Sequence, residues 1–241
     1  MSNRPPARQP AAAKQPGPRG PVTLILATVL GLFFATLVSW MFGVLIELSG
    51  IYYFWPEEGI DHSRRLVQED MGYISAAPRS VLVDDTVGFA TEVVDTVEQQ
   101  YRRIGIPQWY ERTQSREAET LAAEISFHVS RVLLMTMYVA QDTLLRLAVA
   151  GFAIPAFFLA CLLGLVDGLV RRDLRRWGGG RESSFVYHHA KRYTKWALTG
   201  GFTAYLAWPF GGFDPALMVL TCTALVAAAL STTVASFKKY I

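Results

Sequence analysis

Four long apolar runs dominate the pattern of hydrophobic and polar positions along the chain. The first, residues 22–46, has 25 residues without a charge, whereas a helix needs roughly 20 to cross a bilayer. The second, residues 143–170, contains Pro155, and we expect a kink there because proline removes a backbone donor. The third and fourth runs, 196–213 and 215–237, are separated by a short turn and predict a helical hairpin. The pattern therefore predicts four transmembrane helices.

The long segment 47–142 between the first two runs is too polar for a bilayer and has the period of helices. From Val83 to Ile104, apolar side chains recur every three or four residues, and Gly105 and Pro107 end that pattern. A second helical stretch starts near Glu117 and could continue into the second span. We therefore expect a helical insert on the membrane, and the predicted fold class is an all-α polytopic membrane protein.

The distribution of charge predicts the orientation of the spans. Residues 1–21 hold four basic side chains, no acidic ones and six of the twelve prolines, which is typical of a disordered tail. The loop 171–195 holds eight basic and two acidic residues, while residues 47–142 hold eight basic and sixteen acidic ones. Because cytoplasmic flanks collect Lys and Arg, both termini and the basic loop are expected in the cytoplasm. The segment 47–142 is then expected outside, which in a Gram-negative inner membrane is the periplasm.

Composition agrees with a membrane protein and excludes several other classes. Hydrophobic residues make up 51% of the chain and charged residues only 18%, whereas soluble domains carry about 25% charge. Both cysteines, Cys161 and Cys222, lie in apolar runs, so no disulfide framework is expected. A soluble enzyme, a disordered chain and a disulfide-rich secreted module are therefore excluded.

Motifs for catalysis, metal binding or cofactor binding were not found. The four histidines form no metal-binding pattern, and neither a phosphate-binding glycine loop nor a nucleophile elbow occurs. Asp142 with Arg146, and Asp167 with Arg171, are each one helical turn apart and are expected to form ion pairs. We expect no enzyme, no cofactor and no polar centre within the helical bundle.

The basic loop is the most distinctive stretch, because its charge exceeds what a membrane anchor needs. We expect it to dock on lipid phosphates or on an acidic protein surface, without sequence-specific binding of nucleic acid. The candidate docking residues are Arg171, Arg172, Arg175, Arg176, Arg181, Lys191, Arg192 and Lys195. The candidate membrane-interface anchors are the aromatic residues Tyr52, Tyr53, Trp55, Trp177, Trp196 and Trp208.

Four motifs resemble those of a family of integrating conjugative element membrane proteins. They are FWPEEG at 54–59, GLVDGLVRRDLRR at 164–176, GRESSFVYHHAK at 180–191 and SFKKYI at 236–241. The resemblance extends from the first span to the C-terminus, without the proline-rich tail. It implies an inner-membrane protein encoded among the transfer genes of integrative conjugative elements, which move DNA through a type IV secretion apparatus. It supplies no catalytic residues.

The sequence thus predicts a non-enzymatic inner-membrane component of conjugative DNA transfer, acting as a scaffold or docking subunit. Its expected partners are membrane lipids and other secretion subunits, with the coupling ATPase among the candidates, and small residues on the spans would allow close packing or an oligomer. The alternative is an exclusion or regulatory membrane protein that acts in recipient cells.

Overall fold

A computed structural model describes residues 20–76, 80–115, 120–178, 205–206, 208 and 214–236. All regular structure in these ranges is helical. The helices are α1 (Pro21–Tyr53), α2 (Ile60–Ala76), α3 (Thr86–Ile104), α4 (Ile106–Gln114), α5 (Leu121–Phe152), α6 (Ile154–Trp177) and α7 (Pro215–Ala235). The prediction of an all-helical chain is confirmed for the part of the chain that the structure describes.

Local capping explains where several helices begin and end. Asp85 precedes α3 and accepts a hydrogen bond from the backbone N of Gly88 at 2.8 Å, which satisfies a donor of the first turn. Gly105 ends α3 with φ at 83°, a left-handed conformation that favours glycine. Asp214 caps α7 in the same way as Asp85 caps α3, through the backbone N of Ala216.

The chain divides into two compact units within α1, between Phe34 and Ala35. In the first unit, α1 exposes large apolar side chains, among them Leu30 and Phe33. The second unit, which begins at Ala35, contains the remaining helices.

In the second unit, α5 is the central helix, because α2, α3 and α4 all pack along it. Near the C-terminal end of α5, the buried Leu145 packs with Val67 and Ile74 of α2 and Ala90 of α3. Towards its middle, Met135 and Val139 pack with Ile51 of α1, and Leu134 and Met137 pack with Ile60 of α2. The core of the second unit therefore lies around the C-terminal two thirds of α5.

Four described helices are long and apolar enough to cross a membrane, namely residues Val29–Tyr53, Leu121–Phe152, Ile154–Trp177 and Pro215–Ala235. The expected presence of four such helices is confirmed, but their identities differ from the four predicted runs. Helix α5 was predicted only in part, and half of its most apolar window is buried inside the protein (50%), against 11–17% for the other three. The predicted run 196–213 lies outside the described residues except for Tyr205, Leu206 and Trp208.

The predicted second span, 143–170, is not a single helix. Helix α5 ends at Phe152, and α6 begins at Ile154 with Pro155 in its first turn. Proline is tolerated in the first turn of a helix, because a backbone N–H there would have no hydrogen-bond partner within the helix. Ala153, the one residue between them, keeps right-handed helical φ and ψ, and its backbone N donates to Val149 while its carbonyl accepts from Phe157. The interruption expected near Pro155 is therefore a one-residue turn.

Helices α6 and α7 pack closely along two glycines of α6. A side-chain carbon at Gly164 would lie 2.5 Å from the carbonyl oxygen of Ala227, and one at Gly168 would lie 2.7 Å from that of Ser231. Since both glycines and both partners are four residues apart in the same direction, the two helices run parallel. Small residues at this spacing allow such close backbone approach.

Candidate functional site: a buried polar cluster

The strongest candidate site is a group of six buried polar side chains between α1, α2 and α5. The members of this buried polar cluster are Glu47, His62, Ser63, Asp70, Asp142 and Arg146. Charged groups are rarely buried unless they are paired, because removal from water is costly. The pairing within the cluster therefore decides its role.

Glu47 forms one half of the cluster near the C-terminal end of α1. Its carboxylate, 2% exposed, lies 3.0 Å from Nδ1 of His62 and accepts a hydrogen bond from the Ser63 hydroxyl at 2.9 Å. The Trp55 ring stacks on the His62 ring with centroids 3.9 Å apart. Trp55 reaches this position by a turn in which its backbone N donates to the carbonyl of Gly50 at 2.8 Å, and a side chain at Gly50 would overlap the Trp55 ring.

Arg146 of α5 forms the other half and joins three segments. Its Nε donates to Asp70 of α2 at 2.8 Å, and its Nη2 lies 3.2 Å from Oδ1 of Asp142, one turn earlier on α5. Its Nη1 donates to the backbone carbonyls of Tyr205 and Trp208. A single guanidinium with 4% exposure therefore ties α2, α5 and residues 205–208 together.

A small cavity lies between the two halves of the cluster. It measures about 10 Å³ and is lined on its polar side by Glu47, Ser63, Asp142 and Thr143. That volume is about the size of one water molecule. The Oδ1 atom of Asp142 is buried and accepts no hydrogen bond of good geometry from the described residues. The cavity is too small for an organic substrate.

The arrangement can hold helices together, but it offers little room for chemistry. Three carboxyl groups face one guanidinium and one imidazole, and breaking such a buried pair typically costs about 3–5 kcal/mol. Groups of three or more potential metal ligands were not found among the described residues. The geometry therefore favours a structural clamp.

The two ion pairs expected from the sequence are confirmed. Asp142 pairs with Arg146 as described, and Asp167 lies 2.9 Å from Nε of Arg171. Asp167 also accepts a 2.5 Å hydrogen bond from Ser231 of α7, so this pair joins α6 to α7. The Asp142–Arg146 pair is not isolated, because it is part of the buried polar cluster.

Half of the candidate docking residues can be located on the last turns of α6. Arg171 and Arg176 are exposed, whereas Arg172 and Arg175 are half-buried. Arg171 is also engaged by Asp167. Four further candidates lie outside the described residues, namely Arg181, Lys191, Arg192 and Lys195.

The candidate membrane anchors have different surroundings. Tyr52 and Tyr53 are exposed at the end of α1, and Trp177 is 91% exposed at the end of α6. Trp55 is half-buried against His62, and Trp208 is partly exposed beside Arg146. Trp196 lies outside the described residues.

Beside the start of α2, a surface ion pair changes the pKa values of its two members. Arg65 donates a 2.5 Å hydrogen bond to Glu58. This bond lowers the pKa of Glu58 and raises the pKa of Arg65. Farther along the chain, burial raises the pKa of Tyr110 on α4.

Sequence reasoning missed four members of the cluster, namely Glu47, His62, Ser63 and Asp70. His62 and Asp70 are eight residues apart, about two helical turns, and therefore share a face of α2. An apolar stripe that includes a histidine and an aspartate at this spacing was an available signal. This signal would have pointed to a buried cluster only when combined with Arg146, because a buried guanidinium has five N–H donors and needs several acceptors.

Comparison with protein-family models gave a match over residues 54–238 to a family described as "IncC plasmid conjugative DNA transfer protein DtrJ-like". The matched range includes α2 to α7 and all members of the buried polar cluster except Glu47. Curated proteins and solved structures gave no significant match.

Proposed function

The chain belongs to the DtrJ-like family of conjugative DNA transfer proteins, and we propose that it is a non-enzymatic inner-membrane subunit of the transfer machinery. In this proposal it acts as a scaffold or docking subunit of the type IV secretion apparatus of a self-transmissible element. The observation that carries the proposal is the family match over 185 of 241 residues.

The parallel packing of α6 and α7 supports a four-span arrangement. Because Gly164 and Gly168 contact Ala227 and Ser231 in the same order, the two helices start at the same end. A chain that leaves α6 at Trp177 must therefore return across the membrane before α7 begins. The apolar run 196–213 has the length for that return.

The contacts of Arg146 support the same arrangement. Its partners Tyr205 and Trp208 belong to the end of the run 196–213, and Arg146 itself lies two turns before the start of α6. In the proposed membrane protein, this end of the spans faces the periplasm. The buried polar cluster then clamps the spans where they leave the bilayer.

Helix α5 is then the core of the periplasmic insert rather than a span. Its most apolar window is half buried by protein, more than that of any other candidate span, and α2, α3 and α4 pack along it. The proposed spans are α1, α6, the run 196–213 and α7. This placement puts both termini and the basic loop 171–195 in the cytoplasm, in line with the positive-inside rule.

The cytoplasmic end of α6 is the proposed docking surface. Arg172, Arg175 and Arg176 lie within one and a half turns, and Trp177 projects beside them with 91% exposure. Guanidinium groups that are exposed or half-buried next to an exposed aromatic ring suit an acidic protein surface or anionic headgroups. The partner fitted by this surface is an acidic face of another transfer subunit, with the coupling ATPase as one candidate.

A complementation experiment tests this docking role. Donor cells that lack the gene receive the wild-type gene, a variant with Arg171, Arg172, Arg175 and Arg176 changed to Gln, or a control variant. The control changes the exposed residues Arg64, Arg103 and Arg112 to Gln. We expect the α6 variant to lose transfer while the control retains it, with equal amounts of both proteins in the membrane fraction. Normal transfer by the α6 variant would contradict the docking role.

A further inference from the structure

An apolar depression lies between α3 and the C-terminal part of α5. This apolar groove measures about 670 Å³, within the range of about 300–1,000 Å³ that is usual for ligand sites. Phe89 and Val93 of α3 form one wall, and Leu147 and Gly151 of α5 form the other. Ile154, the first residue of α6, lies at one end.

A second, acidic groove adjoins the first on α3. It measures about 700 Å³ and carries Asp85, Glu92 and Asp95, with no basic side chain among its described lining residues. Glu92 and Thr96 line both grooves. An apolar compartment and an anionic compartment therefore meet along one helix, which is the shape expected for a site that binds an amphiphile with a cationic head.

The apolar groove is continuous with the exposed apolar surface of α6. Ile154 and Phe158 are one turn apart on the same side of α6, and they are 60% and 63% exposed. Since α6 is a proposed span, this stripe faces hydrocarbon and leads directly to the groove. A lipid chain can pass from one to the other without crossing a polar surface.

Tyr205 and Trp208, two described residues of the third apolar run, do not line this groove. Their backbone carbonyls accept hydrogen bonds from Arg146. On α5, Arg146 is turned about 100–160° away from Leu144, Leu147 and the rest of the groove wall, given the 100° step of a helix. Tyr205 and Trp208 are therefore held away from the groove.

We propose that the two grooves together bind one membrane phospholipid, with an acyl chain in the apolar groove and an ammonium headgroup at Asp85, Glu92 and Asp95. This inference rests on the proposed membrane placement of α6. The bound lipid would fill an apolar surface that the described residues leave open, next to the turn between α5 and α6.

Native mass spectrometry of the full chain, released from detergent, tests the proposal. The wild-type chain should retain one phospholipid, and phosphatidylethanolamine should be retained in preference to phosphatidylglycerol when both are supplied equally. A chain that retains neither lipid would overturn the proposal.

A filling variant locates the lipid. A Cβ atom added at Gly151 would meet no atom within 4 Å, and Gly151 lines the groove, so Gly151→Leu should fill the groove while the fold is retained. Because it displaces about two methylene groups of the ligand, retention should fall about tenfold. Gly72→Leu on α2 is the matched control, since it also has free space but lies outside the groove, and it should retain the lipid. Equal lipid retention by both variants would overturn the proposed site. The site would also be overturned if the wild-type chain were a dimer that Gly151→Leu converts to a monomer, because a second copy would then occupy the groove.

Charge reversal tests the headgroup independently of packing. Glu92→Lys should shift the preference towards phosphatidylglycerol, whereas Glu57→Lys, at an exposed position outside both grooves, should leave it unchanged. An unchanged preference in Glu92→Lys would overturn the headgroup assignment. Membrane fractionation separates this inference from the proposed function: a chain found in the membrane without bound lipid contradicts only the lipid site, while a chain found outside the membrane contradicts both.

Discussion

Replacing Arg146 by Met should destabilise the protein strongly, because one guanidinium serves two buried carboxylates and two backbone carbonyls. Its Nε lies 2.8 Å from Asp70 and its Nη2 lies 3.2 Å from Asp142. Methionine preserves most of the volume but leaves both carboxylates buried without their cation. Removing one partner of such a pair costs about 3–5 kcal/mol, which lowers the Tm of a chain of this size by about 6–20 °C.

Thermal unfolding of the detergent-solubilised full chain measures this effect. Arg65→Met is the matched control, because Arg65 pairs with Glu58 and Glu69 while its side chain is 49% exposed. Surface pairs contribute about 0–1 kcal/mol, so the control should lose no more than about 4 °C. A Tm for Arg146→Met within the range of the control would refute the reasoning that the buried polar cluster clamps the helices.

Three further predictions concern other contacts. Gly168→Val should separate α6 from α7, because the added atoms would meet the backbone at Ser231; disulfide crosslinking between the two helices should fall. Glu47→Gln should lower the free energy of unfolding by about 1–3 kcal/mol, since two buried donors of α2 lose their anionic acceptor. Arg65 lowers the pKa of Glu58 below the ordinary value of 4.5, so the pair is intact above that value and lost as the pH falls through the lowered pKa. In Arg65→Gln, an NMR titration should find the Glu58 carboxyl closer to its ordinary value.

Controls separate these effects from general damage. Gly151→Ala, at a glycine with free space around it, should leave the α6–α7 crosslink unchanged, and loss of the crosslink there would contradict the packing argument. Glu57→Gln should leave the free energy of unfolding unchanged because Glu57 is exposed. A loss equal to that of Glu47→Gln would contradict the role of the buried carboxylate.

Helices that are long or strongly periodic could be predicted from the sequence. The helical period from Val83 to Ile104 predicted α3. Gly105 ends this helix with a positive φ, a backbone conformation that glycine adopts readily. The stretch from Glu117 was expected to continue into the second apolar run, and α5 indeed continues to Phe152. These successes rest on local signals, namely helical period, capping and chain breakers.

The role of α5 and the partners of its charged residues could not be predicted in the same way. Hydropathy placed the last turns of α5 in an apolar run and did not reveal that α2, α3 and α4 pack along this helix. For the same reason Asp142 and Arg146 were expected as an isolated pair. Their partner Asp70 is 76 residues from Arg146 in the chain, so only the tertiary fold brings them together.

The most direct test of the proposed function is a mating assay in which the gene is deleted from the donor and from the recipient in separate crosses. The account predicts that transfer is lost from deleted donors, that complementation restores it, and that recipients behave normally. Normal transfer from deleted donors, with increased acquisition by deleted recipients that already carry the element, would contradict the account. That result would identify an exclusion protein instead.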